Sequence, residues 1–225
     1  MKLSTLAATC LLPCALAVGA PASAATYLNN TNITVTVGPG SSPGTFNNTF
    51  VGGATISKVI DAPSAAAEEF HDQATHIWYT AEQTGGGLEL RFDFGTEYDL
   101  SVLHFWNYTG EAFDVDDVSF QFYNNANSLV GSLSVSPALG SSPGIKAQDL
   151  VLAAPLNVRY VTAFLTGSNG QVDFQNIGFT ADVSAPIPEP GALGLVGAGV
   201  MVLLVAGPLR RRRHGAFSAS HLRAD

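Results

Sequence analysis

The chain has 225 residues and a mass of 23.4 kDa, enough for one ordinary domain with appendages. Charged residues make up only 12% and apolar residues 46%, where a charged share of about 25% is usual. The central body, residues 25–187, holds sixteen acidic side chains against four basic ones (Lys58, Arg91, Lys146 and Arg159), a net charge of −12. That balance excludes nucleic acid as a partner, because phosphate binding needs a basic face.

Residues 1–24 have the form of a secretory signal peptide. Lys2 gives a positive start, an apolar stretch too short for a comfortable span follows, and Ala22-Ser23-Ala24 forms a small-x-small cleavage site. The expected mature chain starts at Ala25. Both cysteines, Cys10 and Cys14, fall in the signal peptide, so the exported body is expected to carry no disulfide and no Cys-ligated zinc. This reading implies signal peptidase and the Sec export machinery as partners.

The body shows strand periodicity. Leu88, Leu90, Phe92 and Phe94 alternate with Glu89, Arg91 and Asp93, and Val118, Phe120 and Phe122 alternate with Ser119 and Gln121. Such period-two patterns predict strands with one buried face. Further strands are predicted at 33–37, 45–51, 55–60, 102–106, 129–135, 149–152, 159–165 and 172–180, separated by turns rich in Gly, Pro, Asn and Ser. Only 64–70 suggests helix, of about one turn. Many short strands between such turns predict an all-β sandwich or jelly roll over residues 25–184.

A linker at 185–190 contains Pro188-Glu189-Pro190, whose prolines lack an N–H and keep the stretch out of a helix or sheet interior. Residues 191–209 carry no charge and would span about 28 Å as a helix, close to the bilayer core of roughly 30 Å. The cluster Arg210, Arg211, Arg212 and Arg213 opens a basic tail, 210–225, that the positive-inside rule keeps cytoplasmic. Pro-Glu-Pro, a Gly/Ala/Leu/Val-rich span and an arginine cluster, in that order, resemble the PEP-CTERM sorting signal of Gram-negative bacteria. That resemblance implies an inner-membrane anchor with a periplasmic body, then processing by an exosortase and release to the cell surface or an exopolysaccharide matrix.

A second resemblance covers roughly residues 33–180. It is carried by Ile56 to Asp61, Thr75-His-Ile-Trp78, Leu88 to Gly95, Tyr98 to Tyr108, Phe120-Gln-Phe-Tyr123, Val158-Arg-Tyr-Val161 and Val172 to Phe179. Their order is similar to that of the discoidin-type, galactose-binding-like domain. It implies an eight-stranded jelly roll that often binds carbohydrate through loops at one end. In calcium-binding members of that family, the Asp turn and the closing strand lie at a structural Ca²⁺ site. Asp61 and Asp72 are the possible ligands here, with solvated loop acids as the plainer reading; Ala62 follows Asp61 where the family has Gly, and Asn176 stands where it often has Glu.

No G-x-S-x-G, H-E-x-x-H, P-loop or EF-hand pattern occurs, so the expectation is a non-catalytic protein. His71 and His76 are five apart, which places them on opposite faces of a strand. Asp114, Asp116 and Asp117 read as turn acids, with Ca²⁺ binding or acid/base work beside Glu111 as the sharper alternative. Trp78 reads as core. Trp106, Asn107 and Tyr108 end a predicted strand and form the candidate ligand contact, since aromatics with an amide suit a sugar, while core packing is the leading reading for Trp106 itself. The leading reading is an exported, sorted envelope or matrix protein. The alternative is a lectin-like module that binds polysaccharide, and a glycosidase is the third reading.

Overall fold

A computed structural model describes residues 24–72 and 76–184. The signal peptide up to residue 23, the Pro188-Glu189-Pro190 motif, the apolar span and the arginine cluster lie outside the described residues. Among those described, no helix is long and apolar enough to cross a membrane.

The described chain is all β. Eleven strands follow in order: β1 (Thr26–Leu28), β2 (Thr34–Val37), β3 (Gly44–Phe46), β4 (Glu68–Glu69), β5 (Ile77–Ala81), β6 (Gly87–Asn107), β7 (Asp117–Tyr123), β8 (Leu129–Val135), β9 (Ile145–Lys146), β10 (Gln148–Thr166) and β11 (Gln171–Val183). Nine of them join in one antiparallel sheet, while β4 and β9 pair separately.

Two pairs of predicted strands are each one long strand. The predicted 88–94 and 102–106 are both part of β6, and 149–152 and 159–165 are both part of β10. The halves of β6 serve different layers. Its first half pairs with β2 and the end of β10, its second half with β11 and the start of β10. The change of layer falls at a bulge, where residues 94–97 of β6 lie opposite Arg159 alone. Gly95 takes φ 75° there, a backbone state open to glycine without strain.

Alternation fills the space between the layers. In the first layer Phe92, Val161 and Phe122 stand in register, as do Leu90, Ala163 and Phe120, and all six are buried. The small Ala163 leaves room for the larger residues on either side of it. In the second layer Leu103 pairs with Phe179 and Phe105 with Ile177. The layers meet where the rings of Phe92 and Phe94 each come to 5.1 Å from Phe179. The jelly-roll expectation is therefore met at the level of an all-β sandwich.

Three local expectations fail. Residues 55–60 do not form a strand: Ile56–Ile60 is a 3₁₀ turn that buries Lys58, Val59 and Ile60 consecutively, which no strand can do on one face. The helix suggested at 64–70 is a turn leading into β4. The strand predicted at 45–51 stops at Phe46, and Val51–Gly53 turns instead.

Candidate functional site

One row of the sheet assembles the site. Phe174 of β11 pairs with Ile77 of β5 on one side and with Asn107 of β6 on the other. The alternation Ile77, Tyr79, Ala81 faces the core, so His76 and Trp78 face away from it. Asp173 is the cross-strand partner of Trp78 and shares its face. Tyr108 follows the last residue of β6, at the same end of the sheet. The backbone N–H of Asp173 donates to Phe113 O at 2.8 Å, which docks the 110–115 loop beside them.

These residues line a shallow cleft of about 70 Å³ formed by His71, His76, Trp78, Tyr108, Phe113 and Asp173. Its walls are aromatic. Trp78 and Phe113 meet edge to face at 5.8 Å, and the ring of Tyr108 lies 4.7 Å from that of His71. Trp78 is tethered by its indole N–H, which donates to Gln171 Oε1 at 2.7 Å. The His71 and His76 rings come within 4.7 Å, so the two histidines that strand spacing would separate converge here. The larger groove lined by Ala65, Ala66, Ala67, Lys146, Ala147 and Asp149 has about 460 Å³ but no aromatic wall.

The floor is polar and buried. His76 is 0% exposed and Asp173 3%, with His76 Nδ1 2.9 Å from Asp173 Oδ1. A carboxylate beside Nδ1 selects the tautomer with the proton on that nitrogen. That leaves Nε2 as an acceptor, and it has no partner among the described residues. A buried polar atom without a partner costs about 1–3 kcal/mol, which a ligand hydroxyl or a water can recover. Burial pushes the Asp173 carboxyl above its ordinary pKa, while its hydrogen bond to His76 pulls the other way. Burial likewise raises the Tyr108 phenol, with Asp173 adding to the effect, so the hydroxyl keeps its proton and can donate.

The residues singled out in the sequence divide. Trp106 is 0% exposed and its Nε1–H donates to Ala67 O, so it shows no face to a ligand. It anchors a small second core with Ala62 and Ile145. Asn107 is 2% exposed and spent on backbone: its Nδ2 donates to Val115 O at 3.0 Å and Ala138 O at 3.2 Å, and its Oδ1 accepts from the N–H groups of Tyr108 and Val115. It shapes the loop rather than touching a ligand. Only Tyr108 of the three reaches the cleft. Trp78, read as core, is half-buried and forms a wall instead.

Asp61 and Asp72 are both exposed, and among the described residues no three His, Cys, Asp or Glu side chains gather to hold a metal ion. The acidic run also disperses. Asp114 is buried, Asp116 accepts from Ser168 N–H, and Asp117 accepts from Ser136 Oγ at 2.7 Å. Burial, with the negative charges of Asp116 and Glu111, raises the Asp114 pKa to about 6.

No family model matches the chain, and no curated protein matches it. Among solved structures it is similar to the family 32 carbohydrate-binding module of C. perfringens NanJ in complex with galactose. The identity is 11% and the TM-score 0.47, over 70% of this chain and 99% of that one. It is similar to an F5/8 type C domain from Bacteroides fragilis, at 8% identity and TM-score 0.47, over 71% and 98%. It is also similar to the C-terminal domain of a Bacteroides fragilis chitobiase, at 12% identity and TM-score 0.45, over 71% and 100%.

Proposed function

We propose that this chain is a non-catalytic, exported sugar-binding protein of discoidin type, and that the cleft between Trp78, Tyr108 and Phe113 takes a neutral glycan. The observation that carries this reading is His76 Nε2: a buried acceptor, fixed by Asp173, with no partner among the described residues, at the floor of an aromatic cleft. A sugar ring offers an apolar face for the aromatic walls and hydroxyls for such an acceptor. The small volume suits one edge of a terminal sugar. With a net charge of −12 on the body, a neutral glycan meets no long-range repulsion, whereas a polyanion would.

The two ends of the sequence support the cellular side of the proposal. A signal peptide would export the body, and Pro188-Glu189-Pro190 with Arg210 to Arg213 would route it through an exosortase to the surface or the matrix. Binding to a polysaccharide there would give the sorted protein its role. The test is a panel of neutral and acidic glycans incubated with the full chain. Retention on a neutral glycan with no release of sugar supports the reading. Turnover of any glycan would make it a glycosidase instead.

A further inference from the structure

Every second residue of one short segment holds a different part of the cleft. Asn169, in the turn between β10 and β11, donates from Nδ2 to Ala112 O at 2.6 Å, which ties down the peptide next to Phe113. Gln171 accepts the indole N–H of Trp78 on its Oε1 at 2.7 Å. Asp173 holds Phe113 O through its N–H and His76 through its carboxyl. Gln171 and Asp173 share a face of the sheet with Thr80 and Trp78, their partners on β5. An indole N–H can only donate, so the amide oxygen of Gln171 is the atom that faces it. The same oxygen accepts from Thr80 Oγ1 at 2.8 Å, and Thr80 Oγ1 accepts from Asn47 Nδ2 at 2.6 Å. The turn keeps these residues in step. Asn169 Oδ1 accepts from the N–H of Gln171 at 3.0 Å, the side-chain-to-backbone bond of an Asx turn. A Cβ on Gly167 would collide with the Gln171 carbonyl and press on that of Asp114, so the turn lies flush against the 110–115 loop.

We propose that Asn169 and Gln171 are the positioning residues of the cleft: Gln171 orients the Trp78 wall, Asn169 places the Phe113 wall, and the β10–β11 turn thereby determines which sugar the cleft prefers. Neither residue lines the cleft, so neither needs to touch the ligand. Trp78 and Phe113 stand edge to face at 5.8 Å, and bonds from such supporting residues hold a binding constellation to within about 0.5 Å. Each wall has its own tether, so the two can be released separately. The preference among sugars rests on the sugar-binding reading; the placement of the walls stands without any ligand.

The test uses the full chain and begins with two measurements that need no ligand. Acrylamide quenching of tryptophan emission reads Trp78, since the chain's other tryptophan, Trp106, is fully buried. Hydrogen exchange of residues 110–115 reads the Phe113 loop. Gln171→Leu is expected to raise the quenching and leave that exchange unchanged. Gln171→Glu, which keeps an acceptor for the indole N–H, is expected to quench like the original. Asn169→Asp keeps the acceptor for Gln171 N–H and loses the donor to Ala112 O. It is expected to speed exchange of 110–115 about tenfold, the worth of one hydrogen bond, with quenching unchanged. Calorimetric titration with the methyl glycosides of galactose, glucose and mannose follows. Gln171→Leu and Asn169→Asp are each expected to weaken the best-bound sugar at least about tenfold and to narrow the preference among the three. Original-like quenching in Gln171→Leu, strong quenching in Gln171→Glu, or unchanged exchange in Asn169→Asp would overturn the proposal. So would both readouts changing in both variants, which would mark a turn that matters only for folding, or sugar affinities that neither variant alters. If Gln171→Leu fails to fold, the exchange and sugar affinities of Asn169→Asp decide. Absence of binding to all three sugars by the unaltered chain, with the ligand-free pattern intact, would count against the sugar reading alone and leave the positioning assignment standing.

Discussion

His76 Nδ1 lies 2.9 Å from Asp173 Oδ1 in a site where neither side chain reaches solvent appreciably. The pair joins the residue just before β5 to β11 and fixes which imidazole nitrogen faces the cleft. It is both a packing element and the polar floor of the site, and the two roles can be separated by substitution.

Asp173→Ala should lower stability by about 1–3 kcal/mol, because it strands both nitrogens of a buried histidine. Replacing the pair together, His76→Phe with Asp173→Leu, should recover much of that loss, since no polar group is then left without a partner. Glycan binding should remain lost in the double variant. Denaturant unfolding of the single and double variants, with a binding assay on the double, checks both statements.

Phe92→Asp should unfold the domain. Phe92 is fully buried between Val35 and Val161 and meets Phe179 across the layers. A buried charge without a partner costs several kcal/mol, comparable to a whole domain's stability of about 5–15 kcal/mol. Arg91→Asp, one residue away, should be far milder. Arg91 is exposed and loses chiefly its stacking on the Tyr160 ring, 4.0 Å from the guanidinium, worth about 0.5–1 kcal/mol at such sites. Circular dichroism melts of the two variants give the comparison.

That alternation was legible in the sequence because a half-buried strand writes its inner face at every second position. The same rule held in β7, and it failed at Ile56–Ile60, where a 3₁₀ turn buries Lys58, Val59 and Ile60 in succession. The lengths of β6 and β10 were hidden because a bulge breaks the pattern without ending the strand. Of the contact read at the end of β6, only Tyr108 lines the cleft. Trp106-Asn107-Tyr108 has the composition of a sugar contact, yet the first two residues face the second core and the loop backbone. The useful signal was Ile77, Tyr79 and Ala81: three core residues at period two turn His76 and Trp78 outward. Asp173 and Phe113 had no local signal, since their place is set by strand pairing and a loop bond distant in sequence.

The raised pKa of Asp114 makes stability depend on pH. A carboxyl with an ordinary value of 3.8 held at about 6 in the folded state favours folding fully below the lower value. That contribution is lost as pH rises through about 6. Asp114→Asn keeps an acceptor for Asn107 Nδ2 and removes the charge. The variant should therefore melt higher than the original near neutral pH, with the difference closing at about pH 4. Melting curves across that range decide it.

Sorting makes a prediction about mass. In cells with an active exosortase, the mature protein should begin at Ala25 and end near Pro188-Glu189-Pro190. Intact-mass spectrometry of the surface or matrix fraction measures both ends, and an unprocessed C-terminus there would count against the sorting proposal.

The central claim is that an aromatic cleft floored by His76 binds a neutral sugar. It is tested most directly by calorimetric titration of glycans into the full chain and into a Tyr108→Ala variant, with melting temperatures alongside. Tyr108 is half-buried, so its truncation should leave the fold intact. The expected result is binding of a neutral glycan that weakens at least about tenfold, or about 1.4 kcal/mol, in Tyr108→Ala, with an unchanged melting temperature. Full affinity in that variant, or binding confined to acidic glycans, would contradict the account.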